Sequence, residues 1–178
     1  MTAGWYTVVV LLVALERLVE LVVARRHLVW ARARGGVESG QRHYPAMVAL
    51  HTGLLVGCLA EAWWRRPDGR PLLVVVGLIV VVAAQGLRWW CIRTLGPQWN
   101  TRIVVVPGLA AVRTGPYAVI PHPNYVAVAL EGLALPLLGS AIVTAVVFTV
   151  LNAALMAVRI PAEEAALRAA APAAAEAG

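Results

Sequence analysis

The sequence predicts an all-α integral membrane protein, a bundle of about five transmembrane helices with a polar pocket at one membrane face. Of its 178 residues, 61% are hydrophobic, and the mean hydropathy is +0.76. A soluble core of this size cannot bury so much apolar surface, so much of it must face lipid. Polar side chains are concentrated in two clusters, residues 113–125 and 159–164, which flank the last two predicted helices in the sequence.

Five apolar segments approach the length of about 20 residues that a helix needs to cross a bilayer. They are residues 5–24, 45–64, 71–91, 123–138 and 140–160. The fourth is short, and Pro136 followed by residues 138–140 predicts a tight turn into the fifth, so these two should form a hairpin. The chain thus divides into helices one to three (1–91), a region carrying the polar motifs (92–170) and a tail without structure (171–178).

The arginines predict the orientation of the bundle. When the segments alternate across the bilayer, most arginines fall on one side: Arg25, Arg26, Arg32, Arg34, Arg42, Arg88, Arg93, Arg102, Arg113, Arg159 and Arg168. Only Arg65, Arg66 and Arg70 fall on the other. By the positive-inside rule the richer side is cytoplasmic, with the N-terminus outside and the C-terminus inside. We expect a multi-pass protein of a bacterial cytoplasmic membrane.

Aromatic residues at the predicted helix ends are expected to be interfacial anchors. They are Trp5, Tyr6, Trp63, Trp64, Trp89 and Trp90. The absence of a basic residue before the first apolar stretch argues against a cleaved signal peptide, so we expect helix one to be retained.

Charge and cysteine content argue against two other classes of protein. The net charge of +6 could suggest nucleic-acid binding, but the arginines flank apolar segments instead of lining one polar face, so no nucleic-acid partner is expected. Cys58 and Cys91 fall in predicted membrane segments without metal-ligand spacing. Neither a metal site nor a disulfide framework is therefore predicted.

The long connection at 92–122 contains an apolar run, Ile103–Val106, followed by Pro107 and Gly108. This pattern predicts a short extended piece ending in a turn, and the connection could fold back as a lid.

The first polar cluster surrounds a predicted helix start. Pro121 and Pro123 bracket His122, so helix four should begin near Pro123. Its free N–H groups and positive dipole end could bind a carboxylate, with His122, Asn124 and Tyr125 around it. A capped helix with an interfacial His and Tyr explains the spacing equally well.

The second polar cluster lies at the end of helix five. Asn152 and Arg159 are seven residues apart and share a helix face, which Glu163 continues if the helix does. Pro161 instead favours a break, which would place Glu163 and Glu164 in the first turn of a separate cytosolic helix. A structural pair of Arg159 with Glu163 is the alternative to a functional site.

Charged residues also occur within the membrane segments. Glu131 lies on the same face as Asn124 and should point into the bundle, because burial in lipid is costly. Glu16, Arg17 and Glu20 favour a structural role, with Arg17 and Glu20 spaced to pair. The remaining polar residues, which carry weaker signals and receive no predicted role, are His51, Glu61, Gln85 and Arg88.

The ordered motifs of the second half resemble the signature of the isoprenylcysteine carboxyl methyltransferase family. They are Gly115-Pro116-Tyr117, His122-Pro123-Asn124-Tyr125, Glu131 and Arg159-Ile160-Pro161-Ala162-Glu163-Glu164. Further motifs resemble a bacterial branch that methylates hydroxyls of alkylresorcinol-type or alkylpyrone-type lipids. These are Glu16-Arg17, Glu20-Leu21, Arg25, Glu38-Ser39-Gly40, His43-Tyr44-Pro45, His51 and Trp99-Asn100.

The resemblance implies a membrane methyltransferase with S-adenosylmethionine in a cytosolic cofactor pocket and a lipophilic small molecule from the membrane as acceptor. The residues expected to hold the cofactor are Tyr117, His122, Pro123, Asn124, Tyr125 and Glu164. Arg159 would orient the acceptor oxygen, and Glu163, Glu131 or His122 would serve as base if the acceptor must lose a proton. No metal is expected.

Two alternatives to a hydroxyl-methylating enzyme remain at this stage. One is methylation of the carboxylate of a prenylated cysteine, and the other is a non-enzymatic transporter subunit or scaffold. The chain also departs from the family pattern, because Pro121 stands where a basic residue usually precedes the His-Pro pair. Arg113 or Arg159 could replace that charge.

Overall fold

The computed structural model describes residues 3–65 and 71–170, so Arg66, Arg70 and the predicted tail at 171–178 lie outside the described residues. The described elements are, in chain order, α1 (Ala3–Arg32), β1 (Val37–Ser39), α2 (Tyr44–Arg65), α3 (Pro71–Leu95), β2 (Ile103–Val105), α4 (Pro123–Leu138) and α5 (Ile142–Ala170). The predicted all-α membrane bundle is confirmed.

The described helices do not all meet the length and hydropathy expected of a membrane span. Helices α2, α3 and α5 do, whereas α4 is a shorter apolar helix. Helix α1 is 30 residues long, but it contains Glu16, Arg17 and Glu20. Its surface is nevertheless two-sided: Leu11, Leu15 and other apolar side chains face outward, whereas Glu20 is buried. A helix with two such faces can contact lipid with one face and pack polar groups against the bundle with the other.

The hairpin between α4 and α5 has the predicted tight turn. Ser140 adopts a left-handed conformation with φ of 57°, and the Ala141 N–H donates to the Pro136 carbonyl at 2.8 Å. At the start of α5 the Glu61 carboxylate accepts hydrogen bonds from the backbone N–H groups of Val143 and Thr144, at 3.1 and 2.9 Å. Glu61, to which the sequence assigned no role, therefore caps α5 from α2.

Tyr6, one of the predicted interfacial anchors, is instead buried inside the bundle. Its ring is buried against Gly139, and its hydroxyl donates to the Leu135 carbonyl at 2.9 Å. Inside a membrane bundle a buried hydroxyl needs such a partner, and this one joins α1 to α4. Trp63 and Trp64, by contrast, are largely exposed.

The predicted separate helix after Pro161 is wrong. Helix α5 runs without interruption from Ile142 to Ala170 with Pro161 inside it. A proline removes one backbone hydrogen bond, but contacts of the following turns can offset that loss. Here Glu163 and Glu164 contact Tyr125 and His122, and the last carbonyl, that of Ala170, accepts from the Gly108 N–H at 3.3 Å.

The predicted extended piece in the long connection is confirmed as β2, which pairs antiparallel with β1. Arg102 of this connection donates to Glu38 at 2.7 Å and stacks over the Tyr44 ring at 4.2 Å. The hydrogen bond with Glu38 is the main reason that the pKa of Arg102 lies above its usual value. The connection is therefore tied to the chain around β1 and the start of α2.

Helices α4 and α5 pack closely at Gly132. A Cβ atom added there would lie 1.9 Å from Cε1 of Phe148, a side chain that is almost wholly buried. We expect Gly132→Ala to destabilise the folded protein by about 1–3 kcal/mol, because it overpacks this contact. Thermal unfolding in detergent micelles should show a lowered midpoint.

Gly86→Ala is the matched control, because an added Cβ at this helical position meets nothing within 4 Å. Helix propensity alone should make that variant as stable as the wild type or slightly more stable. Equal midpoints for Gly132→Ala and the wild type would contradict the described packing of α4 on α5.

Candidate active site

Helix α4 begins at Pro123, as predicted, directly after a strained residue. His122 has φ 52° and ψ 52°, the left-handed conformation. This conformation is uncommon for residues other than glycine and costs free energy that the surrounding contacts must offset. Pro123 follows naturally as the first helical residue, because its missing N–H needs no partner there.

A polar junction joins the start of α4 to the end of α5; it consists of His122, Tyr125, Arg159, Glu163 and Glu164. The Tyr125 hydroxyl donates to the Glu163 carboxylate and accepts from Arg159 Nε at 3.0 Å. Arg159 also donates to the Thr101 carbonyl at 2.5 Å. Arg159 and Glu163 are thus linked through Tyr125 instead of forming the direct pair that the sequence offered as an alternative.

The imidazole of His122 is held on two sides within the same junction. Its ring stacks on the Tyr125 ring with the centroids 5.5 Å apart and the planes 13° from parallel. Its Nε2 lies 3.3 Å from an oxygen of Glu164, and its Nδ1 lies 3.8 Å from Glu163. The two polar clusters of the sequence therefore meet at one end of the α4–α5 hairpin.

A cavity of about 500 Å³ adjoins the junction. Its polar wall includes Tyr117, Asn124 and Arg159, and its apolar wall includes Leu18 of α1 and Leu55 of α2. Residues 97–106 of the long connection also form part of the cavity wall. A role of this segment as a lid stays a prediction.

Two polar groups on the cavity wall are suited to bind a ligand. Oδ1 of Asn124 is buried and has no hydrogen-bond partner among the described residues. The Tyr117 phenol lies in the connection before α4, where burial raises its pKa well above the usual range and the Cys91 thiol is its neighbour. A phenol is protonated at neutral pH in any case, so the Tyr117 hydroxyl is a hydrogen-bond donor.

Glu131 lies in a second polar group, here called the inner network: Glu16, Arg17, Glu20, Gln85, Arg88 and Glu131. Its Oε2 accepts from Arg88 at 2.7 Å and from Arg17 at 2.9 Å. Seven residues separate Asn124 from Glu131, about 10 Å along the helix. The structure thus confirms that Glu131 points inward but does not bring it into the polar junction.

The sequence patterns did not predict that the inner network joins three helices, α1, α3 and α4. Arg88, which the arginine pattern assigned to the cytoplasmic boundary, is buried and pairs with Glu20 and Glu131. Gln85 donates to Glu16 at 2.8 Å and accepts from Arg17 at 2.9 Å. The signal that could have found it is the shared helix face of Gln85 and Arg88, because a charge inside lipid requires partners.

Most predicted site residues are brought together. The cavity is lined by Tyr117, His122, Asn124, Tyr125, Arg159 and Glu163, while Pro123 begins α4 and Glu164 contacts His122. Their predicted roles in binding and catalysis stay predictions. Within the described residues, no group of three or more His, Cys, Asp or Glu side chains is arranged to hold a metal ion.

Comparison with known proteins places these residues in a wider context. A model of the isoprenylcysteine carboxyl methyltransferase (ICMT) family matches residues 75–169, more than half of the chain. The chain is also 37% identical over 166 residues to an uncharacterized protein of Bacillus subtilis (strain 168), YpbQ, covering 92% of this chain and 96% of the relative.

A second relative is an uncharacterized protein of Haemophilus influenzae, 25% identical over 152 residues, which are 85% of this chain and 88% of that protein. These relatives extend the similarity to α1 and α2 without assigning an activity. The resemblance to the bacterial branch stays a prediction.

The hydroxyl of Tyr125 should contribute measurably to stability, because it satisfies both Arg159 and Glu163. We expect Tyr125→Phe to lower the free energy of unfolding by about 1–3 kcal/mol, the cost of losing hydrogen bonds to charged groups. The midpoint of thermal unfolding in detergent measures this loss.

Tyr117→Phe is the matched control, because its hydroxyl has a thiol neighbour, Cys91, which is a weak hydrogen-bonding partner. Its effect should be the smaller of the two. A larger loss from Tyr117→Phe would show that the junction does not hold α4 to α5 in the manner described.

Proposed function

Because the chain belongs to the isoprenylcysteine carboxyl methyltransferase family, we propose that it is an integral membrane O-methyltransferase that uses S-adenosylmethionine. Its proposed acceptor is a lipophilic molecule, a lipid polyketide, which would be methylated on a hydroxyl group. The observation that carries the proposal is a cavity whose one wall is the polar junction and whose other wall is apolar and belongs to membrane helices.

The polar residues present fit the proposed cofactor. When bound, S-adenosylmethionine supplies a methyl group on a positively charged sulfur. Carboxylates of Glu163 and Glu164, together with the unpartnered Oδ1 of Asn124, suit its ammonium and hydroxyl groups. The rings of Tyr117 and Tyr125 suit a cation, and the first turn of α4 suits a carboxylate. His122 and Pro123 fix the position of that turn.

Arg159 is well placed to orient the acceptor oxygen. Its side chain is buried and fixed by the Thr101 carbonyl and the Tyr125 hydroxyl, so little freedom is lost when an oxygen binds. A hydroxyl must lose its proton as it is methylated, and Glu163 is the junction carboxylate on the cavity wall that can accept it. His122 is a second candidate base. Glu131 is a third, although two arginines already bind it.

The apolar wall supports an acceptor that stays in the membrane. Leu18, Leu21, Val48 and Leu55 from α1 and α2 line the cavity, and an alkyl chain can enter between these helices without leaving lipid. We propose that the polar junction faces the cytosol, with the N-terminus outside, as the arginine distribution predicts.

The family name favours one other acceptor, the carboxylate of a prenylated cysteine. A carboxylate is already ionised, so its methylation would not need Glu163 as a base, whereas methylation of a hydroxyl would. The two candidate functions therefore differ in the acceptor group that is methylated.

The proposal predicts methyl transfer to an alkylresorcinol by the purified protein in lipid nanodiscs. With a labelled methyl donor, wild-type protein should label the alkylresorcinol and not a farnesylated cysteine. Arg159→Ala should lower kcat by roughly 100-fold, the scale of losing one preorganised charged donor. Calorimetric affinity for S-adenosylmethionine should change by less than about threefold.

Arg26→Ala is the matched control, because Arg26 is exposed on α1 and should leave kcat unchanged. If the wild type neither binds S-adenosylmethionine nor transfers methyl, the enzyme proposal is wrong. Labelling of the prenylated cysteine alone would reject the hydroxyl acceptor, and full turnover by Arg159→Ala would reject the role of Arg159.

A further inference from the structure

We propose that His51 binds a hydroxyl group of the acceptor, and that this hydroxyl is a different one from the group that is methylated. The inference rests on the proposed function and deepens it, because it requires an acceptor with a second polar oxygen. His51 lies on α2, a helix with the length and hydropathy of a membrane span. It belongs neither to the polar junction nor to the inner network.

The tautomer of the His51 imidazole is fixed by a bond to its own helix. Nδ1 lies 2.9 Å from the carbonyl oxygen of Met47. A carbonyl oxygen can only accept a hydrogen bond, so Nδ1 carries a proton and donates it to this contact. In the neutral ring the other nitrogen, Nε2, then has no hydrogen and presents a lone pair. Nε2 is therefore a hydrogen-bond acceptor, which suits a hydroxyl as ligand.

The surroundings of His51 favour the neutral ring. Its edge meets the Phe148 ring, with the centroids 5.6 Å apart and the planes at 88°, and Val48 and Leu55 line the cavity beside it. The imidazole forms no ion pair among the described residues, and an unpaired charge is costly in an apolar setting. An ionised carboxylate has no hydrogen to donate to Nε2, so the site favours a hydroxyl over a carboxylate.

A ligand in the cavity can reach the free nitrogen of His51. The residue lines the cavity of about 500 Å³, and Nε2 has no hydrogen-bond partner among the described residues. It is also not one of the fully enclosed polar atoms that lack a partner. The bond to Met47 and the contact with Phe148 already hold the ring, so little conformational freedom is lost when a hydroxyl binds.

Along α2, His51 is separated from the level of Arg159, the residue proposed to orient the methylated oxygen. Arg159 donates to the Thr101 carbonyl, and the next residue, Arg102, stacks on the ring of Tyr44 at the start of α2. His51 comes seven residues after Tyr44, about 10 Å further along the helix.

Helix α5 gives the same separation independently. Phe148, the aromatic partner of His51, precedes Arg159 by eleven residues, about 16 Å along the helix. The His51 ring therefore lies further into the membrane than the junction, on the wall of the same cavity. One oxygen cannot contact both Arg159 and His51, whereas two oxygens of one acceptor can.

A purely structural role for His51 would need Nδ1 alone. Asparagine would keep that role, because its side-chain N–H group can take the place of Nδ1 and donate to the Met47 carbonyl. Glutamine is longer, and its amide can present an acceptor oxygen near the position of Nε2. His51→Asn and His51→Gln therefore separate a structural role from a role in ligand binding.

The test measures binding of two ligands to the full-length protein in nanodiscs by calorimetry, without methyl donor. The ligands are the monomethyl and dimethyl ethers of a pentadecylresorcinol; each has a methoxy group for the junction, but only the monomethyl ether has a hydroxyl for His51. Wild type should bind the monomethyl ether about tenfold more tightly, the scale of leaving a buried acceptor without its partner. His51→Asn should reduce this preference to less than about twofold, and His51→Gln should keep it above about fivefold.

A wild type that binds both ethers equally would overturn the inference, whether or not any variant folds. Equal preferences in His51→Asn and His51→Gln would also overturn it, because a ligand-binding Nε2 requires the two variants to differ. Methyl transfer by the same wild-type preparation separates this failure from failure of the proposed function. If methyl is transferred while the preference is absent, only the hydroxyl site is wrong.

Discussion

The hydroxyl of Tyr125 is the contact on which the site depends, because it joins the beginning of α4 to the last turns of α5. It donates to Glu163 and accepts from Arg159, and Arg159 in turn holds the long connection through the Thr101 carbonyl. Polar side chains at a membrane boundary are costly unless they satisfy one another. The same contacts that satisfy them also explain why α5 continues through Pro161.

Helix α4 organises a site with two levels. At its start, Asn124 and Tyr125 belong to the wall nearest the polar junction, and about 10 Å further along the helix Glu131 anchors the inner network. The cavity lies beside both levels and extends to apolar side chains of α1 and α2. An amphipathic acceptor matches this arrangement, since its alkyl chain can remain among apolar groups while its ring meets polar ones. The proposed methyl donor requires only the level at the junction.

Local sequence was sufficient for most of the helices, the turn at Ser140 and the start of α4 at Pro123, because apolar length and proline geometry are local properties. The junction was predictable in outline from the spacing of its residues. What local patterns could not give were contacts between distant segments: the burial of Arg88 against Glu20 and Glu131, the cap that Glu61 provides for α5, and the pairing of β1 with β2. The predicted break at Pro161 failed for the same reason, since tertiary contacts outweighed a local preference.

The most direct test is cross-linking of His122→Cys with Glu164→Cys by a short bifunctional thiol reagent in native membranes; the native Cys58 and Cys91 are buried. The imidazole and carboxylate that these cysteines replace lie 3.3 Å apart, so rapid intramolecular cross-linking is predicted. The comparison pair, His122→Cys with Val143→Cys, should not react, because residue 143 is roughly 30 Å from residue 164 along α5. Cross-linking of the comparison pair instead would place the two clusters at opposite membrane surfaces and contradict a shared site.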